Sequence, residues 1–252
     1  MATVISSDHG FYRVLTLNRP EKRNALNDEL IADLKEALNE ADLDEELHAV
    51  VLRGTGKDFC SGADLEALQK IATASYEENL ADAQNLADLF TLIRKVRVPV
   101  IAAVHGRALA GGCGLATACD LVIATQTARF GYPEVNIGFV PAIVTVFLRR
   151  NVSEKRAFEM ITQGFEFGAE HAFVVGLVNR IVSDETFDED IFEYISIYEK
   201  VSRSAVMLSK ELLYRMDGMS SDEAIKAGVE TNAKARMTDD CKQGIARFLD
   251  RR

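Results

Sequence analysis

Along the first half of the chain, short apolar segments alternate with longer segments that have helical periodicity. The segments Ala49 to Arg53 (AVVLR), Val98 to Val104 and Leu121 to Ala124 are compact apolar runs of the kind that form buried strands. Between the first two lies Asp64 to Lys95, which has helical periodicity with a polar interruption at Thr73 to Asn79, and a further helix begins at Asp28. This alternation predicts an α/β fold with a layered core.

The pattern changes beyond Pro141, where helix dominates. One last strand is predicted at Asn179 to Val182, and no strand signal follows it. We therefore divide the chain into an α/β core at 1–182 and a helical C-terminal region at 183–252. The other predicted elements are an opening hairpin (Val4 to Ser7 and Phe11 to Leu17) and helices at Ala142 to Arg150, Glu154 to Thr162, Ala169 to Gly176, Asp188 to Tyr214 and Asp222 to Leu249.

Charge and composition exclude several classes of function. The net charge is −10 and the isoelectric point is about 5.0, so nucleic acid is not an expected partner. The four cysteines have neither a close-spaced pair nor companion histidines at metal-ligand spacing, which predicts no metal site and a reduced, cytoplasmic location. No targeting segment is recognised at the N-terminus, and no uncharged apolar run is long enough to span a membrane.

Two glycine-bearing segments each follow a predicted strand and lead into a helix. They are FCSGADL (Phe59 to Leu65) and HGRALAGGCGLATACD (His105 to Asp120). Glycine permits close backbone approach, and a helix start leaves N–H groups without internal partners. Two such groups aimed at one point would stabilise a developing negative oxygen. Each segment alone also fits an ordinary strand-to-helix turn, whereas a phosphate loop would need a Gly-Lys-Ser/Thr ending or dinucleotide spacing that neither has.

Five motifs in order resemble the crotonase (enoyl-CoA hydratase/isomerase) superfamily. The similarity spans about Arg19 to Val182 and is carried by RPEKRNALN, FCSGADL, HGRALAGGCGLATACDLVIA, ARFGYPEVNIGFVP and GLVNRIV. The resemblance implies a spiral of repeated ββα units and a helical C-terminal region that forms trimers, often as dimers of trimers. It also implies an enzyme that acts on an acyl-CoA thioester.

Matched position by position, the resemblance assigns the N–H groups of Ala63 and Gly111 to an oxyanion hole. It assigns Glu134 as the general acid or base beside the acyl chain. A carboxylate next to an apolar pocket has its pKa raised by desolvation, which suits proton exchange near neutral pH. The alternative for Glu134 is an exposed carboxylate in a loop after Pro133.

The sequence departs from the family at Gly114, where hydratases with two catalytic glutamates have the first. Hydration uses two carboxylates to place a water and protonate carbon, whereas one base can move a double bond. We therefore slightly favour isomerisation of 3-enoyl-CoA to 2-enoyl-CoA, with hydration through an unconventional second group as the alternative. Glu66, Asn136 and Tyr132 are candidates for that group. The β-branched run from Val140 to Arg150 should also narrow the acyl pocket.

The resemblance further suggests how CoA is bound. CoA is part of the substrate, and no separate cofactor is expected. CoA carries phosphate charges, so an acidic protein needs local positive charge to bind it. The predicted CoA-binding set comprises one segment near the nucleotide, one aspartate, and two C-terminal residues that reach a neighbouring subunit's CoA: Arg19, Lys22, Arg23, Ala25, Asp64, Phe248 and Arg251.

Two other classes of protein remain as alternatives. Gly114 motivates a non-catalytic acyl-CoA-binding protein that retains the fold. A serine peptidase on a related spiral fold would need a Gly-x-Ser-x-Gly elbow with His and acid partners, and the sequence has no such elbow. The helical tail has an apolar pattern at Phe192, Ile195, Tyr198 and Val201, which must be buried against the chain's own core or against another subunit.

Overall fold

The structure is a computed structural model that describes residues 2–250. The strands within those residues are β1 (Val4–His9), β2 (Tyr12–Leu17), β3 (Ala49–Gly54), β4 (Val100–Val104), β5 (Arg107–Leu109), β6 (Leu121–Thr125), β7 (Arg129–Gly131), β8 (Glu166–Gly168) and β9 (Arg180–Val182). The helices are α1 (Asp28–Leu43), α2 (Leu65–Thr73), α3 (Tyr76–Lys95), α4 (Gly111–Ala118), α5 (Ala142–Asn151), α6 (Glu154–Gln163), α7 (Ala169–Val174), α8 (Phe187–Ile195), α9 (Ile197–Lys200), α10 (Arg203–Arg215), α11 (Ser221–Met237) and α12 (Asp239–Asp250). Short 3-10 helices lie at Pro20–Lys22 and Pro133–Ile137.

The main sheet has the strand order β1-β2-β3-β4-β6-β9. β1 and β2 form an antiparallel hairpin, and every later neighbouring pair in this sheet is parallel. All residues of β4 are buried, because helices cover both faces of the sheet. This explains why the strands read as continuous apolar runs and not as alternating ones.

The two faces of the main sheet pack against different helices. Val50 and Leu52 belong to the larger apolar core, which also contains buried side chains of α1, α3 and α4. Val51 and Ile101 face the opposite way, into a smaller cluster completed by the buried side chains of α8. The site described below lies on the side of the larger core.

A smaller sheet, β5-β7-β8, gives the core its repeating plan. In β4-β5-α4 the first strand joins the main sheet and the second joins the small sheet, and β6 and β7 repeat this division. The segment after β3 follows the same plan, since Cys60 forms a parallel bridge with Ala108 of β5. Successive units therefore bring three strand-end loops to one place.

The C-terminal helices α10, α11 and α12 pack on one another. The predicted helix from Asp188 to Tyr214 is divided into α8, α9 and α10, and the predicted helix from Asp222 to Leu249 is divided into α11 and α12. Large apolar side chains on the last two helices are exposed to solvent: Ile225, Val229, Met237, Ile245, Phe248 and Leu249.

Two kinds of feature are absent from residues 2–250. No helix in this range is both long enough and apolar enough to cross a membrane. No group of three or more His, Cys, Asp or Glu side chains in the same range could hold a metal ion.

Candidate active site

The first site loop joins β3 to α2 and is fixed by a bridge between Leu26 and Ala63. Leu26 N–H donates to the Gly62 carbonyl at 2.7 Å, and Asp64 N–H donates to the Leu26 carbonyl at 2.9 Å. In this parallel pattern the polar groups of Ala63 itself point away from Leu26. Ala63 is exposed, and its N–H donates to no acceptor in the described part of the chain.

The second site loop joins β5 to α4, and Gly111 is the first residue of that helix. The first intrahelical bond that closes this turn runs from Gly114 N–H to the Ala110 carbonyl, at 2.9 Å. Gly111 N–H therefore has no acceptor within the helix, as expected for an N-terminal residue. Ala110, which caps the helix, has φ 48° and ψ −125°, a strained conformation for a residue with a side chain.

The two loops touch through their backbones. A Cβ added to Gly62 would lie 2.9 Å from the Leu109 carbonyl oxygen and 3.6 Å from Gly111 N, and Gly62 has φ +98°. A Cβ added to Gly112 would collide with the carbonyl group of Cys60. Only glycine fits at both positions, so the backbone of Gly62–Ala63 lies against the start of α4. The structure thus brings together the segments that carry both predicted oxyanion donors.

Glu134 lies in the 3-10 helix Pro133–Ile137, directly after β7. Its Oε2 atom is buried and has no hydrogen-bond partner among the described residues. Burial raises the pKa of this carboxyl, and a hydrogen bond from its own backbone opposes that rise without cancelling it. β7 also binds the second loop, because Ala110 N–H donates to the Gly131 carbonyl at 2.8 Å. A carboxyl with a raised pKa and a free oxygen therefore stands on the segment next to the α4 N-terminus.

The position of Gly114 is closed by two apolar side chains. A Cβ there would collide with Val144 Cγ2 and would lie 3.0 Å from Phe90 Cε2. Phe90 and Val144 are 0% and 3% exposed, so neither can swing into solvent to make room. This wall is built by α3 and α5, and it leaves no space for a carboxylate at position 114.

Comparison with known proteins identifies the family of this chain. Residues 12–252 match the sequence model of the family described as "Enoyl-CoA hydratase/isomerase". The chain belongs to the enoyl-CoA hydratase/isomerase family. It is 39% identical over 249 residues to a Thermus thermophilus protein that carries an enoyl-CoA hydratase name, covering 99% of this chain and 98% of the relative. It is 34% identical to the crotonyl-CoA hydratase of Syntrophomonas wolfei, covering 95% and 92% of the two chains.

Solved structures of family members confirm the predicted crotonase-type fold. The crystal structure of an enoyl-CoA hydratase from Mycobacterium smegmatis superposes with a TM-score of 0.94 at 36% identity, over 99% of this chain and 97% of that one. The human enoyl-CoA hydratase domain-containing protein 3 superposes with a TM-score of 0.92 at 27% identity, over 99% and 98%. The chain is therefore an enzyme of the hydratase/isomerase family.

The N-terminal residues predicted to bind CoA lie around the first loop, but their charged side chains have different partners. Arg19 is largely buried and donates to the Ala25 carbonyl at 2.5 Å and to Asp64 at 2.7 Å. Lys22 and Arg23 are more exposed and lie 3.3 Å from Glu66 and 3.8 Å from Asp58, respectively. In this family member Arg19 therefore ties the segment to the loop, while Lys22 and Arg23 are the cations that face solvent.

Asp64 and the C-terminal pair complete the predicted set. Burial alone would raise the pKa of Asp64, but hydrogen bonds from Arg19 and from Glu66 N–H, with the charges of Arg19 and Lys22, lower it overall. Asp64 is thus an ionised cap of α2. Phe248 lies on the outer helix α12 and is exposed, and Arg251 lies outside the described residues.

The three candidates for a second polar group occupy different environments. Glu66 is exposed beside Lys22, and Asn136 donates to the Gly164 carbonyl at 3.2 Å. Tyr132 is 0% exposed, and its hydroxyl lies 2.7 Å from Thr117 Oγ1. No sequence pattern distinguishes Thr117, which is a threonine inside a helix of small residues.

The site cysteines are buried. Burial raises the pKa of Cys60 and of Cys113 to about 12, so neither thiol is ionised near neutral pH. His105 Nε2 lies 3.0 Å from the Gly56 carbonyl, beneath the loop and not at the α4 N-terminus. These residues therefore serve packing and local bonding.

Proposed function

We propose that this enzyme binds an acyl-CoA thioester with its carbonyl oxygen between the N–H groups of Ala63 and Gly111. Removal of a proton from the adjacent carbon places negative charge on that oxygen, where two fixed N–H donors stabilise it. Glu134 exchanges the proton. The free N–H groups, the touching loops and the unpartnered carboxyl oxygen support this assignment.

Exposed apolar side chains near the two loops suit an acyl chain. Leu65 follows Ala63 and Asp64 at the start of α2, and it is 75% exposed. Ile137, Phe139 and Val140 follow Glu134 and are also exposed. Apolar surface beside a few polar groups is the usual composition of a small-molecule site.

We favour movement of a double bond over hydration, and the closed position of Gly114 is the observation that carries this preference. Glu134 would remove a proton from C2 of a 3-enoyl thioester, and the electron pair would delocalise onto the carbonyl oxygen. The double bond then re-forms between C2 and C3 while the carboxylic acid returns the proton to C4. This route needs neither a second carboxylate nor a water, which agrees with the wall that Phe90 and Val144 form at Gly114.

Hydration of a 2-enoyl thioester is the second candidate, because several relatives carry hydratase names. It requires Glu134 alone to activate a water and then to protonate the substrate carbon. A non-catalytic acyl-CoA-binding role, the third alternative from the sequence, is disfavoured because relatives that match over nearly the whole chain carry the names of enzymes.

One assay separates the three. The purified protein is incubated with 2-enoyl- and 3-enoyl-CoA of several chain lengths, and the absorbance of the conjugated thioester is followed together with product mass. Isomerisation raises the absorbance of the 3-enoyl substrate without a mass change, whereas hydration lowers that of the 2-enoyl substrate and adds one water. Glu134→Gln should abolish either reaction, and Glu170→Gln, at an exposed position on α7, is the control. Turnover that persists in Glu134→Gln would overturn the assignment of the base.

We also propose that the C-terminal region, residues 183–252, assembles the chain into a trimer or a dimer of trimers. The exposed apolar side chains on α11 and α12 would be buried between subunits. A cavity of about 790 Å³ between α5 and α10, with Val146, Met207 and Leu208 in its walls, offers further apolar surface. Light scattering of the full chain should give three or six times the 27.8 kDa mass, and a monomer would refute the proposal.

A further inference from the structure

The two halves of the site stand on separate segments whose spacing must be fixed. Gly111 begins α4, whereas Glu134 follows β7, more than twenty residues later in the chain. One tie joins the segments at the N-terminus of α4, where Ala110 N–H donates to the Gly131 carbonyl. That tie precedes Tyr132 in the chain, so a contact beyond it is needed to fix the position of Glu134 relative to α4.

Tyr132 supplies a second tie, to the far end of the same helix. Its hydroxyl lies 2.7 Å from Thr117 Oγ1, and the two residues are 0% and 1% exposed. Tyr132 is separated from Glu134 only by Pro133, whose ring restricts the backbone between them. Movement of the Tyr132 ring would therefore be transmitted to the carboxyl.

The direction of the hydrogen bonds follows from the number of protons. Thr117 Oγ1 also lies 2.7 Å from the Cys113 carbonyl, which can only accept, so the single hydroxyl proton of Thr117 is donated there. Tyr132 O–H must then donate to Thr117 Oγ1. The chain Tyr132 to Thr117 to Cys113 carbonyl is fully satisfied and excluded from water, which makes it a rigid link.

We propose that Tyr132 and Thr117 are positioning residues that hold Glu134 at a fixed place relative to the Gly111 N–H group. This inference rests on the proposed function of that site. Neither side chain needs to touch substrate. Loss of the link should shift the base away from the reacting carbon, which lowers kcat, while the binding surface for the rest of the substrate is unchanged and KM stays nearly constant.

The test uses variants that break or retain the link. Tyr132→Phe and Thr117→Val each remove the hydrogen bond, whereas Thr117→Ser retains a hydroxyl that can accept from Tyr132 and donate to Cys113. We expect kcat to fall about tenfold in the first two with KM within about twofold, and near wild-type values in Thr117→Ser. The double variant Tyr132→Phe/Thr117→Val should be no slower than either single variant, because both remove one link. Thr125→Val, at a buried threonine on β6, is the control for loss of a buried hydroxyl.

A second measurement does not depend on turnover. The side-chain carboxyl of Glu134 is titrated by ¹³C NMR, with assignment by the Glu134→Gln spectrum. Its raised pKa should move back toward the ordinary glutamate value in Tyr132→Phe and Thr117→Val, and should be retained in Thr117→Ser. Thermal unfolding of each variant confirms that it is folded at the assay temperature.

The outcomes separate the two proposals. If kcat and the Glu134 titration are both unchanged in the variants that break the link, or if Thr117→Ser is as impaired as Thr117→Val, the positioning role is wrong. If wild-type protein converts neither 2-enoyl- nor 3-enoyl-CoA, the proposed function fails, and the NMR titration still decides whether the link holds Glu134.

Discussion

Lys210 Nζ lies 2.6 Å from Asp120 Oδ2, and both side chains are largely buried. The same ammonium donates to the carbonyls of Ile93 and Val98 at 3.2 Å and 2.9 Å, and Tyr214 O–H donates to the other oxygen of Asp120 at 2.6 Å. Asp120 comes two residues after α4. The C-terminal helix α10 is therefore fastened directly to the segment that follows the site helix.

Replacing Lys210 with methionine should destabilise the fold by about 3 kcal/mol, because Asp120 would remain buried without its cation. The measurement is the free energy of unfolding in denaturant at neutral pH. Lys70→Met is the matched control, since Lys70 pairs with Asp28 at an exposed site, and it should have no measurable effect. Equal effects of the two substitutions on the free energy of unfolding would mean that the buried pair is worth no more to stability than the exposed one.

Glu134→Gln should stabilise the protein at neutral pH while it removes activity. Folding raises the pKa of this carboxyl above its unfolded value of 4.5, so the folded state holds its proton more tightly. The contribution of Glu134 to stability is consequently largest below pH 4.5 and is lost as the pH rises through the folded pKa. Melting temperatures of the variant and the wild type should therefore diverge above that pKa and converge below pH 4.5.

The pH dependence of turnover should report the same group. A base must be ionised in the free enzyme, so kcat/KM should fall on the acid side with an apparent pKa above 4.5. An acid limb at or below the ordinary glutamate value would show that a different carboxylate acts as the base.

Ala110→Gly should raise the stability of the fold by about 1 kcal/mol. The residue has φ 48° and ψ −125°, which glycine adopts without a clash, and the relief of strain should exceed the extra entropy that glycine loses on folding. Denaturant unfolding measures the change. A loss of stability would indicate that the Ala110 methyl group contributes packing that outweighs the strain.

Gly114→Glu should destabilise the fold by about 3 kcal/mol, because the new side chain meets Val144 and Phe90. Adding Val144→Ala should recover part of that loss and introduce measurable hydration of 2-enoyl-CoA, since a second carboxylate could then place a water. Val144→Ala alone is the control and should add no hydration. If the paired variant folds and hydrates no faster than that control, the wall at Gly114 does not decide the reaction.

The sequence predicted the main sheet and the order of its helices, because long apolar runs and steps of three and four are strong signals. The polar interruption at Thr73 to Asn79 coincides with the gap between α2, which ends at Thr73, and α3, which begins at Tyr76. The small sheet was missed. β5, β7 and β8 are three residues each, too short to show any period, and β5 lies inside the segment that we interpreted as a glycine-rich turn.

The side chains around the site were harder to predict than its backbone. The glycine motifs indicated two strand-end loops, but no sequence pattern shows that Val144 and Phe90 from two other helices meet at Gly114. The pairing of Tyr132 with Thr117 is also invisible, since their contact depends on how β7 lies beside α4. Phe90 alone has a sequence signal, because it lies at helical spacing from Ala83 and Ala87 and so on the apolar face of the predicted helix.

On our proposal, the groups that receive the developing charge are main-chain amides, and no codon change at Ala63 or Gly111 deletes an amide unless it introduces proline. Scanning mutagenesis would register Glu134 and the tightly packed glycines, yet it would leave the donors themselves in place. Their contribution can be measured only by altering the protein backbone, for instance by replacing the amide at Gly111 with an ester through semisynthesis.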